Sequence, residues 1–368
     1  MTSARAPRVQ VHRVRVPFRA PVRTAAGTWT ARDSWLIRLR GTRGRSGWGE
    51  VVVEDDADVA VLEALLDDLV ASGLPPSDAL LARAGAAGRA AQAALDAARL
   101  DLGEGVRGRG RRRHPPVGVN ALIGAGDPAE VAVAAERSVA AGFRTLKLKV
   151  RRRDTTASLV ERVAAVRAVV GDGVALRIDV NGSWDRATAT ERLRVLAGFD
   201  IQYVEQPLDP ADVQGAVSLR AGSHVPIAAD EAIVSVDAAR EMLAAEAADV
   251  LVVKPARVGG PRAVAAIAAM AAREGVPVVI SSLFETGVGL AAALACATAL
   301  PDVEGWPSAT RDHGLATVDL LEDDLLVRPL VTSAGAVRAP GGAGTGVLGM
   351  AVDEAALERY TTGRDRHA

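Results

Sequence analysis

Residues 145–206 contain three short apolar runs that end in charged or polar side chains: TLKLKV at 145–150, ALRIDVN at 175–181 and IQYVEQ at 201–206. A longer segment with apolar residues at helical spacing lies between one run and the next. A short apolar run followed by an amphipathic helix is the pattern of a βα unit, from which parallel sheets are built. This stretch therefore predicts an α/β fold with parallel strands.

The same unit recurs from about residue 117 to residue 310. The apolar runs are 117–122, 145–150, 175–181, 201–206, 226–231, 250–254 and 277–281, with a weaker eighth run at 305–309. The helix-like segments are 128–141, 155–170, 186–197, 236–247 and 261–274. Seven or eight such units predict a closed (β/α) barrel, with active-site groups at the carboxyl ends of the strands.

The sequence before the barrel has a different pattern. Strand-like runs at 9–16, 34–39 and 46–53 precede helix-like runs at 59–71 and 89–102, which indicates an α+β cap. The arginine-rich segment 107–116 is interpreted as a linker, because no aromatic residues interleave it as in a nucleic-acid patch. Gly344, Gly346 and Gly349 form a GxGxxG pattern without a preceding strand, so we interpret them as a loop.

Composition limits the classes of partner. The 368 residues carry 44 basic and 45 acidic side chains, a formal net charge of -1, which favours neither nucleic acid nor an anionic membrane. A small-molecule partner is expected, and a homo-oligomer stays open. The single cysteine, Cys296, and the lack of an apolar signal region or of 18 successive apolar residues predict a cytoplasmic protein.

Lysine usage is unusual, since only three of the 44 basic residues are lysines: Lys147, Lys149 and Lys254. A codon bias towards arginine is one explanation. However, all three lysines fall in strands of the one repeat. Lysine can lose its proton near neutrality when it is desolvated or crowded by positive charge, whereas arginine cannot. The three lysines are therefore candidate acid/base groups.

Three carboxylates end three successive strand runs: Asp179, Glu205 and Asp230, at spacings of 26 and 25 residues. One βα unit between neighbours places them side by side at the barrel mouth. Each acid alone is more often a cap or an ion-pair partner. Together, three crowded anions need a cation, and oxygen-only ligands favour Mg²⁺, with Mn²⁺ as a possible substitute.

The lysines flank this predicted metal site. Lys147 and Lys149 are two residues apart, so they face the same way, about 6.6 Å apart along the strand. Lys254 ends a strand on the other side of the mouth. A divalent metal stabilises the enediolate formed when a base removes a proton next to a carboxylate. Bringing the pKa of a lysine from about 10.4 to about 7 or 8 requires roughly 3 to 5 kcal/mol, and Lys147 and the metal act in that direction on Lys149.

These motifs resemble those of the enolase superfamily, muconate lactonizing enzyme subgroup. The resemblance rests on Lys147-Leu148-Lys149, Asp179-Val180-Asn181, Glu205-Gln206-Pro207, Asp230-Glu231 and Lys254-Pro255. It implies a modified (β/α)7β TIM barrel at residues 116–325, after an α+β capping domain at residues 1–115. Residues 326–368 would return to the cap, and residues 17–27 would form a mobile loop that covers the substrate. A lysine base acting with Mg²⁺ is typical of this superfamily.

The segment 280–289, which contains Ser281, Ser282 and Glu285, and the run 313–317 resemble the o-succinylbenzoate synthases of this subgroup. The implied reaction is dehydration of 2-succinyl-6-hydroxy-2,4-cyclohexadiene-1-carboxylate in menaquinone biosynthesis, which makes the protein a hydro-lyase. Lys149 would be the base and then the acid, Lys254 an electrostatic partner and Lys147 a group that tunes Lys149. The expected substrate contacts are Asn181, Ser281, Ser282 and Glu285, although serines also satisfy local backbone.

Two alternatives stay open. An N-succinylamino acid racemase, or another racemase, epimerase or cycloisomerase of the superfamily, would use Lys149 and Lys254 as opposed bases. The Asp-x-Asp pair that is usual in dipeptide epimerases is absent between Trp306 and His313. A non-catalytic metal-binding barrel is the alternative from another class.

Overall fold

The structure is a computed structural model that describes residues 8–24, 27–41, 45–72, 77–103, 115–124, 126–340, 348–363 and 366–367. The predicted linker 107–116 lies almost wholly outside these ranges, as do Gly344 and Gly346. In the described residues, no helix has both the length and the apolar character that a membrane span requires.

The N-terminal part is an antiparallel sheet with helices packed on it. Its elements are β1 (Arg8–Thr24), β2 (Gly27–Arg40), β3 (Ser46–Val51), α1 (Val59–Ser72), α2 (Asp78–Arg83) and α3 (Gly85–Leu102). Gly47 and Gly49 let α3 approach β3 closely, since a Cβ at these positions would lie 2.1 Å from the Ala98 oxygen and 1.9 Å from the Ala94 oxygen. The predicted α+β cap is present.

The segment expected to be a covering loop, residues 17–27, is instead the end of a β-hairpin. The strands β1 and β2 pair as far as Thr24 and Gly27, with an irregularity between Pro17 and Val22. Residues 25 and 26 lie outside the described ranges. Strand pairing satisfies the backbone groups that a loop would leave to water.

The barrel begins after the cap. A short strand, β4 (Val117–Gly118), precedes the barrel strands β5 (Ala121–Ile123), β6 (Thr145–Lys149), β7 (Ala175–Asp179), β8 (Ile201–Glu205), β9 (Ile227–Ala229), β10 (Val250–Val253) and β11 (Val278–Ile280). The barrel helices are α4 (Pro128–Ala140), α5 (Thr156–Val170), α6 (Arg186–Leu196), α7 (Val213–Gly222), α8 (Val236–Ala244), α9 (Pro255–Val258), α10 (Pro261–Arg273) and α11 (Gly287–Thr298). Within the described residues, the seven strands from β5 to β11 form one parallel sheet in sequential order. This confirms the predicted βα repeat.

The barrel is closed by His313 and Gly314, which form parallel bridges to Val119 and to Ser281. The weak eighth run predicted at 305–309 was therefore misplaced by a few residues. Pro307 lacks the N–H that a strand ladder needs, so this segment instead makes a turn and a 3₁₀ helix at Ser308–Thr310. Trp306 stacks on Tyr203 inside the barrel, with ring centroids 6.4 Å apart.

Side-chain caps mark where the barrel helices begin. Asp127 accepts a hydrogen bond from the Glu130 N–H while Glu130 accepts one from the Asp127 N–H, a capping box at the start of α4. Thr155, Asp185, Asp212 and Ser235 cap α5 to α8 through single side-chain bonds. The helices α7 and α11 were absent from the sequence prediction.

The chain ends with β12 (Thr332–Ser333), β13 (Ala336–Val337), α12 (Glu354–Tyr360) and β14 (Arg366–His367). The strands β12 and β13 form a small sheet with β4, whereas β14 pairs with β1 of the cap. The tail therefore makes strand contacts with both parts of the molecule.

Candidate active site

The strand register brings the predicted acids and lysines to one end of the barrel. Lys149 pairs with Asp179 across β6 and β7, and Asp179 pairs with Glu205 across β7 and β8. Asp230 directly follows β9, and Lys254 directly follows β10. Because all these strands are parallel, their carboxyl ends meet at the same mouth.

Lys147 lies between two of the carboxylates. Its Nζ is 2.8 Å from Glu205 Oε1 and 3.2 Å from Asp179 Oδ2. The Nζ of Lys149 is 3.5 Å from the same Asp179 oxygen, so both lysines of the pair converge on one carboxylate, as their spacing predicted. Lys149 Nζ also donates a hydrogen bond to a neutral amide, Asn181 Oδ1, at 3.0 Å.

The opposite side of the mouth is a tighter ion-pair network. Lys254 Nζ donates to Asp230 Oδ2 at 2.6 Å, and Arg257 Nη1 donates to Asp230 Oδ1 at 2.7 Å. Two further nitrogens of Arg257 hold the Glu54 carboxylate, each at 2.7 Å. Glu54 follows β3 of the cap, so Arg257 connects a cap residue to Asp230 at the end of β9.

The charges in the mouth shift one another's pKa values. Burial alone would lower the pKa of Lys147, but Asp179 and Glu205 raise it well above its ordinary value. Burial raises the pKa of Glu205 to about 8 although Lys147 opposes it, and the charges of Asp179 and Asp230 add to that rise. Burial also opposes ionisation of Asp230, yet Lys254 and Arg257 hold its pKa well below the usual range.

The carboxylates have the oxygens that a hard cation needs. Asp179 Oδ1, Glu205 Oε2 and Glu231 Oε2 are buried and have no hydrogen-bond partner in the described structure. An unpaired buried carboxylate oxygen is costly, and a divalent cation with oxygen ligands would satisfy those of Asp179 and Glu205. In the described ranges, no three acidic, histidine or cysteine side chains already converge as a metal cluster, and Lys147 stands between Asp179 and Glu205. The residues present nevertheless fit Mg²⁺.

A cavity of about 280 Å³ opens above these groups. Lys147, Lys149, Lys254, Asp179 and Asp230 line it from the barrel. Its other lining residues are Asn120, Ala121, Leu122, Phe143, Asn181, Ser281, Ser282, Phe284, Gly314, Ala316, Thr317, Asp319 and Leu320. The size and the mixed lining suit a small organic acid.

Three of the four predicted substrate contacts lie at this cavity. Asn181 is beside Lys149, whereas Ser281 and Ser282 follow β11. The hydroxyls of Ser282 and Thr317 are 2.7 Å apart. Both serines therefore line the same cavity as the three lysines.

Glu285, the fourth predicted contact, is not brought to the cavity. Its Oε2 accepts a hydrogen bond from the Leu283 N–H at 2.7 Å, which turns the side chain towards the cap. Burial and the nearby Glu50 raise the pKa of Glu285 to about 7. Glu285 thus belongs to the contact between cap and barrel.

The hairpin of β1 and β2 places two aromatic rings against a residue of the cavity, and the sequence analysis did not use these residues. The rings of Phe18 and Trp29 meet the Phe284 ring edge-on, with centroids 6.1 Å and 5.9 Å away. Phe284 lines the cavity and has φ of 63°, a conformation that bulky residues rarely adopt. Phe284 could have been suspected as a site residue, since it lies inside the 280–289 segment that carries the family resemblance.

Arg257 and Glu231 were also missed as site residues. Arg257 follows Lys254 by about one helical turn, and Glu231 follows Asp230 directly. Both positions could have been suspected from their neighbours. Their partners, Glu54 and Asn181, are too distant in sequence to be paired by spacing.

Comparison with known proteins gives the family. A model of the enolase C-terminal domain-like family matches residues 130–355, more than half of the chain. An o-succinylbenzoate synthase of Thermobifida fusca is 44% identical over 216 residues, which are 58% of this chain and 64% of that protein. The aligned part therefore spans less than two thirds of that relative.

Two further similarities extend over almost the whole chain. An N-succinylamino acid racemase of Amycolatopsis sp is 31% identical and covers 97% of each chain. The solved structure of a muconate lactonizing enzyme from Pseudomonas fluorescens, complexed with muconolactone, superposes with a TM-score of 0.81 at 27% identity. It covers 98% of this chain and 100% of that one.

The barrel with its cap, the acids and lysines at the strand ends and these similarities agree with one another. The chain therefore belongs to the enolase superfamily, in the muconate lactonizing enzyme subgroup.

Proposed function

We propose that this protein is a metal-dependent lyase of the o-succinylbenzoate synthase type. Its substrate would be 2-succinyl-6-hydroxy-2,4-cyclohexadiene-1-carboxylate, which loses water to give o-succinylbenzoate. The observation that carries this proposal is the unequal environment of the two lysines that face one cavity. Lys149 is 22% exposed, donates a hydrogen bond to a neutral amide and lies 3.5 Å from the Asp179 carboxylate, whereas Lys254 is 11% exposed and lies 2.6 Å from the buried Asp230 carboxylate.

This inequality suits a reaction with one base. Lys149 would take the proton from the carbon next to the substrate carboxylate, leaving an enediolate. The electron pair then expels the hydroxyl from the neighbouring carbon, and the Lys149 ammonium returns the proton to the departing oxygen on the same face. One C–H and one C–O bond break, a ring double bond forms, and water leaves. A single group acting first as base and then as acid is ordinary general catalysis.

Lys254 has the features of an electrostatic partner. Its Nζ lies 2.6 Å from Asp230 Oδ2, and its side chain is only 11% exposed. A fixed cation in a water-poor site stabilises negative charge that develops on a bound carboxylate. Lys147, between Asp179 and Glu205, would keep the mouth electrically balanced beside Lys149.

Asp179, Glu205 and Asp230 would hold the metal, Mg²⁺ by preference and Mn²⁺ as a substitute. When bound, a divalent cation would supply Lewis-acid stabilisation of the additional negative charge that develops on the substrate carboxylate as the adjacent proton leaves. The unpaired oxygens of Asp179 and Glu205 support this assignment.

An N-succinylamino acid racemase is the second candidate, and two observations favour it. The strands β6 and β10 are four apart in the sheet, so Lys149 and Lys254 approach the cavity from different sides. The Amycolatopsis racemase is also similar over almost the full length of the chain. Two opposed lysines are what proton removal from one face and return to the other would require.

Turnover of both substrate classes by the purified protein with Mg²⁺ tests the choice. Dehydration of the cyclohexadiene carboxylate, followed by ultraviolet absorbance of the aromatic product, is the expected result. Efficient racemisation of N-succinyl amino acids without dehydration would contradict the lyase and support the second candidate. Proton exchange at a substrate α-carbon that is lost in Lys149→Ala would exclude a non-catalytic metal-binding barrel.

A further inference from the structure

Lys149 is connected to a carboxylate through one amide. Asn181 accepts a hydrogen bond from Lys149 Nζ on its Oδ1, at 3.0 Å, and donates one from its Nδ2 to Glu231 Oε1, also at 3.0 Å. Lys254, by contrast, bonds directly to the Asp230 carboxylate. The hydrogen-bond acceptor is therefore an amide for Lys149 and a carboxylate for Lys254.

We propose that Glu231 is a positioning residue for Lys149 and acts through Asn181. An amide has a donor end and an acceptor end, and only the oxygen can accept from an amine or ammonium group. Glu231 Oε1 accepts the hydrogen bond from Asn181 Nδ2, so it holds the amide in the orientation in which the Asn181 nitrogen faces it. The oxygen of Asn181 must then face Lys149.

The backbone at Asn181 supports this assignment. Asn181 has φ of 50°, in the left-handed region, and Gly182 follows with φ of 67°. Asparagine is among the few non-glycine residues that tolerate this region, so glycine would suit the backbone equally well. Compared with glycine, asparagine adds a side-chain amide at this position. Its oxygen accepts a hydrogen bond from Lys149, and its nitrogen donates one to Glu231.

Glu231 is suited to act at a distance from the substrate. It is partly buried and does not line the cavity that contains Lys149 and Asn181. Its removal is therefore expected to disturb the aim of the Lys149 amine rather than the binding of substrate. This role rests on Lys149 being the base of the proposed reaction, whereas the hydrogen-bond chain itself can be tested independently.

Lysine-specific NMR provides that independent test, because the chain has only three lysines. Protein grown with lysine labelled with ¹³C at the ε-carbon, and studied with Mg²⁺, gives three side-chain signals that Lys→Arg variants assign. Glu231→Ala and Asn181→Gly, which keeps the left-handed backbone allowed, should both move the Lys149 signal. The double variant should move it no further than Asn181→Gly alone, since the two residues act in series.

Two further variants sharpen the result. Glu231→Gln keeps an oxygen that can accept from Asn181 and should leave the Lys149 signal closer to its original position. Glu241→Ala removes an exposed carboxylate from α8 and should move none of the three signals. An unmoved Lys149 signal in Glu231→Ala overturns the proposal. So does an equal displacement of the Lys254 signal, because the effect would then pass through Asp230.

Kinetics give the second readout. With the proposed substrate, Glu231→Ala should lower kcat about tenfold and change KM less than twofold, and Glu231→Gln should recover part of the loss. A raised KM with unchanged kcat contradicts a positioning role. If the unsubstituted protein dehydrates nothing, the proposed function fails, while the NMR comparison still decides whether Glu231 orients Lys149.

Discussion

At the scale of single residues, the feature that matters most is the difference between Lys149 and Lys254. Both line the same cavity, but their nearest hydrogen-bond partners are an amide and a carboxylate. The acceptor of Lys254 is a carboxylate oxygen at 2.6 Å, whereas that of Lys149 is a neutral amide oxygen at 3.0 Å. The same residue type can therefore be a base on one side of the cavity and a fixed cation on the other.

Charge-conserving substitutions separate these roles. Lys149→Arg and Lys149→Ala should both lower kcat about 10²- to 10⁴-fold, because a guanidinium cannot act as a base near neutrality and a methyl group has no base at all. Lys254→Arg should keep dehydration within about tenfold of the unsubstituted rate, whereas Lys254→Ala should lose it. Steady-state rates of dehydration check this. Equal, near-complete loss in Lys149→Arg and Lys254→Arg would mean that both lysines exchange protons.

Glu205 carries the prediction on metal binding. Its pKa of about 8 means that a metal has to displace a proton at lower pH. The apparent affinity for Mg²⁺ should therefore rise between pH 6 and pH 9. At a Mg²⁺ concentration about 100 times Kd, the free energy of unfolding should increase by about 2.7 kcal/mol over that in EDTA.

Calorimetric titration and thermal unfolding measure these two effects. Glu205→Gln should abolish most of the stabilisation by Mg²⁺, because it removes one of the three proposed ligands. The exposed Glu241→Gln serves as the control and should leave it unchanged. A Glu205→Gln protein that Mg²⁺ still stabilises fully would contradict the assignment of Glu205 as a ligand.

At the scale of elements, the hairpin of β1 and β2 contacts the barrel next to the cavity, through the lining residue Phe284. Its contact with the barrel includes a bridge between Phe18 and Leu321, and the Glu322 N–H donates to the Pro17 oxygen. Phe18 and Trp29 then reach Phe284, a lining residue. Aromatic edge-to-face pairs contribute about 0.5–1.5 kcal/mol each beyond the area they bury.

Trp29 allows this contact to be weakened without removing it, because its side chain is only partly buried. Trp29→Ala should lower kcat/KM about tenfold, since water would reach the charged groups of the cavity more easily. Trp29→Phe keeps an aromatic edge and should lower it less than threefold. Circular dichroism establishes that both variants fold, and unchanged kinetics in Trp29→Ala would show that the hairpin does not seal the site.

At the scale of the whole molecule, buried charges join the cap to the barrel. Glu50 of β3 accepts hydrogen bonds from the N–H groups of Thr286 and Gly289, at the start of α11. Arg32 of β2 interacts electrostatically with Glu50 and with Glu285. One buried cation thus faces two carboxyl groups, and burial raises the pKa of both. Glu54 and Asp33 are the other acids that act on Arg32.

The stability of this contact should depend on pH through Glu285. Its pKa is about 7 in the folded protein against an ordinary 4.5, so the folded state retains a proton that the unfolded chain has lost. The associated stability is complete below pH 4.5 and disappears as pH rises through 7. The difference corresponds to about 3 kcal/mol.

Urea unfolding between pH 5 and pH 8 tests this dependence. The free energy of unfolding of the unsubstituted protein should fall with rising pH relative to that of Glu285→Gln, which carries no titrating group. Glu241→Gln, on an exposed helix face, should follow the unsubstituted protein. Parallel curves for the unsubstituted protein and Glu285→Gln would contradict the buried, protonated state of Glu285.

The barrel, and the acids and lysines at the ends of its strands, could be predicted from the amino-acid sequence. Periodic apolar runs specify βα units, and parallel strands put their carboxyl ends together, so Asp179, Glu205 and Asp230 could be placed side by side without coordinates. The same logic put Lys147 and Lys149 on one face, because side chains alternate along a strand. These relations follow from local geometry repeated along the chain.

Contacts between residues far apart in the sequence could not be predicted and became visible in the folded chain. The hydrogen bonds from Asn181 to Glu231 and from Arg257 to Glu54, the turn of Glu285 towards the cap and the closure of the barrel by His313 and Gly314 all depend on packing between distant segments. No periodicity encodes these contacts, because each depends on how elements twist and pack in three dimensions. For the same reason, the different partners of Lys149 and Lys254 became visible only in the folded chain.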